Sequence, residues 1–302
     1  MKKYIPHLML LGAAAIWGFA FVAQDVIVGM SASLVVAVRS LIASIFLIFV
    51  VMMLDKLRKN GRRLISRRGV DVTRTELVGG VICGAVLAIA SSLQQLGIQA
   101  GTDGGKAAFI TSLYVVLVPI YALALKKRAP VNVWLAVVIA AVGFYLMCVK
   151  EGTGISPSDL FVIGGALVFP FHILVIDHFS PKCDGVRMSL VQFIACFVIE
   201  AVIALFEAPA IDFGVIGANI LPLIFLGIGS SGIAYTLQIL GQNGPDPAVA
   251  SIIMSLESVF GVIGTAVALG AILEPREYVG CAIVLAAVIL SQIEFKKPEN
   301  AK

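Results

Sequence analysis

Charge is scarce in this 302-residue chain: only 13% of residues are Asp, Glu, Lys or Arg, and there are three histidines and two tryptophans. Its five cysteines, Cys83, Cys148, Cys183, Cys196 and Cys281, show no CxxC spacing, and most lie in apolar runs. They read as small buried hydrophobes, which excludes a disulfide or zinc framework. No polar-patterned stretch of about 50 residues exists to form a separate soluble catalytic or nucleic-acid-binding domain. No cluster of nucleophile, base and metal ligands is visible either. The sequence therefore predicts no enzyme, no catalytic residue, no metal and no cofactor.

What is abundant is apolar surface. Sixty percent of the residues belong to the apolar set and the mean hydropathy is +1.03, far more than one water-soluble core can hide. A helical span needs about 20 apolar residues, so ten spans would use about 200 and leave about 100 for short connections. Apolar windows bounded by charge or by Gly/Pro punctuation predict spans near residues 7–29, 33–54, 77–98, 105–125, 131–149, 159–180, 185–206, 218–241, 247–271 and 276–294. Backbone in lipid must satisfy its own hydrogen bonds, which makes these runs helices. The start, Met1-Lys2-Lys3 before an apolar run, has the look of a signal peptide. The run continues to Val28, too long for an h-region, and reads as a retained first span.

The 22 Lys and Arg residues report direction. All but four fall at Lys2–Lys3, between Lys56 and Arg74, at Lys126–Arg128, at Lys182 and Arg187, and from Lys296 to Lys302; Lys106, Lys150 and Arg276 lie in the alternate connectors and Arg39 inside a span. Positive residues stay cytoplasmic, so both termini are expected there. The basic tract from Lys56 to Arg74 then reads as a loop near anionic lipid, not as a nucleic-acid site.

The chain also matches itself. Gln95, Gln99, Gly101 and Asp103 recur in register as Gln238, Gln242, Gly244 and Asp246, and downstream Ala107, Ser112 and Leu113 fall on Ala250, Ser255 and Leu256. Earlier, Trp17 falls on Phe169 and Asp25 on Asp177. Two homologous halves of five spans, 1–150 and 151–302, follow. An odd number of spans per half inverts the second, and exchanging the conformations of inverted halves turns a cavity open on one side into one open on the other.

Several short pieces of the chain, in this order and spacing, give it a family likeness: Ala15-Ile16-Trp17-Gly18-Phe19-Ala20-Phe21, Arg39-Ser40-Leu41-Ile42-Ala43, Leu93-Gln94-Gln95-Leu96-Gly97, the stretch from Phe109 to Pro119, that from Tyr235 to Gln242, and that from Ser255 to Glu274. With its duplication, the chain resembles the drug/metabolite transporter superfamily, specifically its ten-helix EamA-like branch. The resemblance implies a basket in which spans 1, 3, 4, 6, 8 and 9 line a central cavity and the last span of each half is peripheral. It implies solute transport without naming a substrate, since the family carries amino acids, quaternary amines, nucleobases, nucleotide-conjugated sugars and drugs. Arg39 falls on Gln192, so its charge has no counterpart in the second half.

Glu257 carries most weight among the individual residues, because it lies near mid-span, where an ionised side chain costs about 2.5 to 3.5 kcal/mol unless it faces a cavity. Its repeat mate is Tyr114, and Trp17 and Phe169 sit at the same level. A carboxylate beside aromatic faces suits an organic cation or the ammonium of a zwitterion. The alternative is a protonated or paired structural Glu. Trp17, Tyr114, Phe169 and Tyr235 are either site aromatics or core; Gln95 and Gln238 contact solute or join helices; His172 is a proton carrier or a satisfied core histidine. Asp25 and Arg39 flank the first hairpin symmetrically and read as a structural ion pair. Asp103 and Asp246, the latter followed by Pro247, read as helix N-caps. Gly227 to Gly232 spells GxGxxG, but inside a span it reads as a helix-packing surface, like Gly80 and Gly84. Pro119 and Pro170 mark kinks or bending points.

The sequence thus predicts an all-α integral membrane protein with ten transmembrane helices as two inverted five-helix repeats. Its function is secondary transport of a cationic or zwitterionic metabolite, amine or amino-acid-like, across the cytoplasmic (inner) membrane, with protons as the candidate coupling ion. The substrate-binding set is Trp17, Gln95, Tyr114, Phe169, His172, Tyr235, Gln238 and Glu257. Partners are the small-molecule substrate and the bilayer, with no nucleic acid, in a monomer or homodimer. The alternatives are a broad exporter of drugs or nucleobase-like metabolites, a lipid flippase or pore, and a lipid-modifying membrane enzyme.

Overall fold

A computed structural model describes residues 4–59, 72–127, 129–148, 155–207, 212–269 and 274–293. Most of the basic tract, Lys150 and the terminal lysines lie outside these residues. The described chain is all-helical: α1 (Ile5–Asp25), α2 (Ala32–Lys59), α3 (Arg74–Gln99), α4 (Gly104–Ser112), α5 (Tyr114–Ala124), α6 (Val131–Cys148), α7 (Pro157–Phe179), α8 (Gly185–Glu207), α9 (Phe213–Ala218), α10 (Ile220–Ile224), a π-helical segment (Phe225–Ala234), α11 (Tyr235–Gly241), α12 (Pro247–Met254), α13 (Glu257–Leu269) and α14 (Pro275–Gln292). Eight helical runs are long and apolar enough to cross a membrane, counting Gly104–Ala124 and Ile220–Gly241 as one run each. Helix α14 is not among them, and the apolar run of α6, Val131–Leu146, is shorter. Large apolar side chains such as Phe49, Val138, Leu205 and Ile289 point outward, which lipid tolerates and water does not. The protein is a multi-pass membrane protein.

Local chemistry starts these helices where the sequence indicated. Asp103 accepts from the backbone N–H groups of Gly105 and Lys106, and Asp246 from that of Ala248, with Pro247 in the first turn. Capping boxes at Thr73 and Ser156, closed by Glu76 and Asp159, open α3 and α7. Each satisfies amides that a helix start leaves unpaired.

Small residues bring the helices together. A Cβ on Gly18 would sit 2.4 Å from that of Phe260, one on Gly84 2.4 Å from the Gln192 carbonyl oxygen, one on Gly80 2.6 Å from Val191, and one on Gly227 2.5 Å from Ile42. The GxGxxG run is therefore a packing surface, seated on α2. Helix α2 packs on α8, α6 on α14, α3 on α7 and α8, α1 on α11, α13 and the π-helical segment, and α4 and α5 on α7.

Two apolar runs that read as single spans are broken. Between α4 and α5, and between α12 and α13, the backbone tightens to bonds spanning three residues: Leu113 to Ile110 and Val116 to Leu113 in one, Leu256 to Ile253 and Ser258 to Ser255 in the other. The breaks fall on repeat mates, Leu113 and Leu256, and not at proline; Pro119 and Pro170 lie inside α5 and α7. Ser112 and Ser258 hydrogen-bond where the broken runs cross, and Ser258 also donates to the Ala108 carbonyl at 3.1 Å.

Candidate functional site

The two breaks place Tyr114 at the first position of α5 and Glu257 at the first position of α13, facing one interior cavity. Glu257 begins a helix, and the positive end of that helix dipole favours a negative charge there. Its Oε1 and the Tyr114 hydroxyl are both buried and neighbour each other, and neither forms a well-shaped hydrogen bond with any other group. Neither α5 nor α13 offers Glu257 a cation, and it makes no ion pair among the described residues.

Tyr235, from α11, is the aromatic hub. Its ring lies 4.7 Å from that of Trp17, 5.6 Å from His172 and 5.6 Å from Phe193, all edge-on, the arrangement that aromatic quadrupoles prefer. Trp17 Nε1 donates to the Ser230 carbonyl at 3.3 Å. His172 Nε2 pairs with Gln192 Oε1 at 3.0 Å, so the histidine is at once a satisfied buried group and a cavity wall. Phe169, one turn before it, lines the same space.

Seven of the eight residues proposed from sequence line this cavity: Trp17, Tyr114, Phe169, His172, Tyr235, Gln238 and Glu257. Gln95 does not. It is fully buried elsewhere with both amide atoms unpartnered, while its neighbour Gln94 takes the cavity position and donates to Thr111 Oγ1 at 2.9 Å. Successive helical residues point about 100° apart, so one step of register moves a side chain to another face. The repeat mate Gln238 faces the cavity with its Oε1 unpaired.

Arg39 is the second correction. It forms no ion pair with Asp25: Nε donates to Ser231 Oγ at 2.9 Å and Nη2 to Ser230 Oγ at 3.2 Å, so the guanidinium turns into the protein and lines the cavity. Asp25 instead lies beside Gly104 and Asp103. Equal distance from a hairpin sets depth in the membrane but not the direction in which a side chain leaves its helix. The π-helical segment is what brings Ser230 and Ser231 together against Arg39. No signal in the sequence announced that segment, although wide turns of this kind recur at functional sites.

Two ion pairs fasten α7 to the first half, one at each end. Lys106 Nζ sits 2.6 Å from Asp159 Oδ2, whose other oxygen accepts from Thr102 at 2.9 Å; at the far end Lys127 pairs with Asp177. Asp246 lies near that second pair, and burial, with Asp177 adding, raises its carboxyl above the ordinary range. A bidentate bond from Arg187 Nη2 to Asp55, at 2.6 and 2.8 Å, joins α8 to α2. The N-terminal end of α1 and the C-terminal end of α14 border one crevice of about 1050 Å³.

Among the described residues, no group of three or more His, Cys, Asp or Glu could hold a metal. The cavity itself has a free volume of about 40 Å³, room for a few waters at about 10 to 15 Å³ each. It is a narrow, largely apolar and aromatic-walled chamber that carries a few polar and charged side chains.

Comparison with known proteins agrees with this architecture. The model of the EamA-like transporter family matches residues 5–149 and 156–292. An uncharacterized transporter of Archaeoglobus fulgidus is 31% identical over 193 residues, 63% of this chain, and the chain spans 60% of that relative's length. A solved crystal structure superposes with a TM-score of 0.75 at 16% identity, over 95% of this chain and 96% of its own, a likeness of fold.

Proposed function

Because the chain belongs to the EamA-like transporter family, we propose that it is a secondary transporter that moves a small organic cation or zwitterion, amine or amino-acid-like, across the cytoplasmic membrane by alternating access. The observation that carries this reading is Glu257: a buried carboxylate without a cation, at the start of a broken helix, beside the Tyr235 aromatic cluster. Discontinuous helices near the bilayer midplane are where transporters hold solute and coupling ions. A cationic group would contact Glu257 and find aromatic faces next to it, cation–π contact adding about 0.5 to 2 kcal/mol. Glu257 and His172 are the groups suited to carry a coupling proton.

The reading counts α6 and α14 as crossings, giving ten, with both ends of the chain cytoplasmic and the second half inverted. Its support lies in how the contacts exchange. Swapping the halves maps α2–α8 and α6–α14 onto themselves, and maps α3 with α7 and α8 onto the segment ending in α11 with α1 and α2. The seam between α4/α5 and α7 maps onto that between α12/α13 and α1. Ligand pockets measure about 300 to 1,000 Å³, so a 40 Å³ chamber must widen to admit solute. Rocking about the central crossing of the broken runs would widen it toward one face at a time.

The test is solute flux in proteoliposomes at several pH values. Glu257→Gln keeps shape and removes charge; losing one charge-assisted contact of about 1.5 to 3 kcal/mol is expected to lower apparent affinity roughly 10- to 100-fold while the protein still folds. Unchanged flux at every pH would remove Glu257 from the mechanism.

A further inference from the structure

The cavity holds a guanidinium and a carboxyl group that do not pair with each other. Arg39 and Glu257 are each about 4% exposed, both line the same chamber, and no ion pair joins them. Tyr235 stands within electrostatic reach of both. Taking either charge out of water costs several kcal/mol unless an opposite charge compensates it, and the shortest compensation would be direct pairing. The fold prevents that. Arg39 is held on the α2 side by Ser230 and Ser231, and Glu257 is fixed at the start of α13.

We propose that Arg39 is a carboxylate-binding subsite, and that the solute is a zwitterion bridging the chamber, its carboxylate on Arg39 and its ammonium on Glu257. Two serines occupy only part of the guanidinium's five donors, and a planar fork suits a carboxylate in two-point contact. A bare amine would compensate Glu257 and leave Arg39 unmatched. An amino acid compensates both at once and leaves the sum of charges in the chamber unchanged, whereas an amine adds one positive charge. This rests on the transport reading of the same cavity and narrows its substrate class. It also assigns a role to a buried charge whose repeat mate is neutral, since Gln192 stands in the equivalent place and is engaged by His172. An asymmetric charge in a symmetric scaffold gives the solute one orientation.

The experiment is equilibrium binding to the purified full-length protein of matched pairs differing only in the carboxylate: L-alanine and ethylamine, L-leucine and isopentylamine, L-phenylalanine and phenethylamine. For the pair that fits, the amino acid is expected to bind at least 10-fold more tightly than its amine. Arg39→Gln should erase that gap and leave amine affinity within about 2-fold; Arg39→Lys should retain part of it; Glu257→Gln should weaken both members. If Arg39→Gln does not fold, Arg39→Lys carries the test: a narrowed gap with amine affinity unchanged is expected, and an undiminished gap would overturn the proposal. Amines binding as well as amino acids in a Glu257-dependent way, or Arg39→Gln weakening both members equally, would overturn the proposal and leave the transport reading standing. Binding of neither class would overturn both.

Discussion

A carboxylate and a guanidinium inside a membrane each need a reason, and in this protein the reasons differ by neighbour. Arg187 and Asp55 make a bidentate pair at the edge of the helical core; removing one partner of a buried pair costs about 3 to 5 kcal/mol because the other charge stays behind. Among the described residues Asp25 makes no ion pair, and it sits beside Asp103. Asp55→Ala is therefore expected to lower unfolding stability by about 3 to 5 kcal/mol, and Asp25→Asn to change it by no more than about 0.5 kcal/mol, as read from thermal unfolding in detergent. A large loss on Asp25→Asn would restore the Asp25–Arg39 pair that the sequence suggested. Residue identity was readable in advance here, and side-chain direction was not. Glu257 was singled out from its depth, Tyr114 as its repeat mate and Trp17 from its level, and all three line the chamber. Gln94 was lost to Gln95 by one step of register.

Among the elements, start signals were legible and interruptions were not. Asp103 and Asp246 with Pro247 were read as helix starts, because capping is a local reaction between a side chain and the next three amides; the Thr73 and Ser156 boxes carry the same chemistry and were found only in the structure. The breaks at Leu113 and Leu256 lie inside largely apolar runs with no glycine or proline at the break, and the Gly/Ser-rich sequence from Phe225 to Ala234 loosens that helix without specifying a π-helical turn. Both follow from packing between helices, most visibly the Ser112–Ser258 crossing. Glycine positions were legible as close contacts without naming the partner. Gly84→Ala drives a Cβ to 2.4 Å from the Gln192 carbonyl oxygen, whereas Gly217→Ala meets nothing within 4 Å. The first is expected to cost about 1 to 3 kcal/mol through overpacking, and the second to be neutral or slightly stabilising, since alanine favours helix by about 1 kcal/mol over glycine. Thermal unfolding of the two variants side by side checks this, and equal stabilities would contradict the packing role.

Over the whole molecule, the two related seams are fastened differently. The seam between α4/α5 and α7 carries Lys106–Asp159 at one end and Lys127–Asp177 at the other. The seam between α1 and α12/α13 has no ion pair among the described residues; His7 and Val249, the repeat mates of Asp159 and Lys106, instead border the 1050 Å³ crevice. On the proposed alternating-access reading, the seam with ion pairs is the one that unlatches. Asp177→Asn is expected to increase access to the chamber from the face bearing Lys127, and Asp159→Asn from the opposite face, each by several-fold in labelling rate. Equal effects on both faces would show that the pairs hold the fold and do not gate it.

The central claim is that one chamber opens to each side of the membrane in turn, and sided labelling of a chamber wall tests it most directly. Met254 lines the cavity, is 1% exposed and takes no part in its hydrogen bonds, so Met254→Cys, in a background with the five native cysteines replaced, reports access without altering the site. A membrane-impermeant thiol reagent is expected to label it in both right-side-out and inside-out vesicles. Labelling from one face only, or from neither, would contradict alternating access.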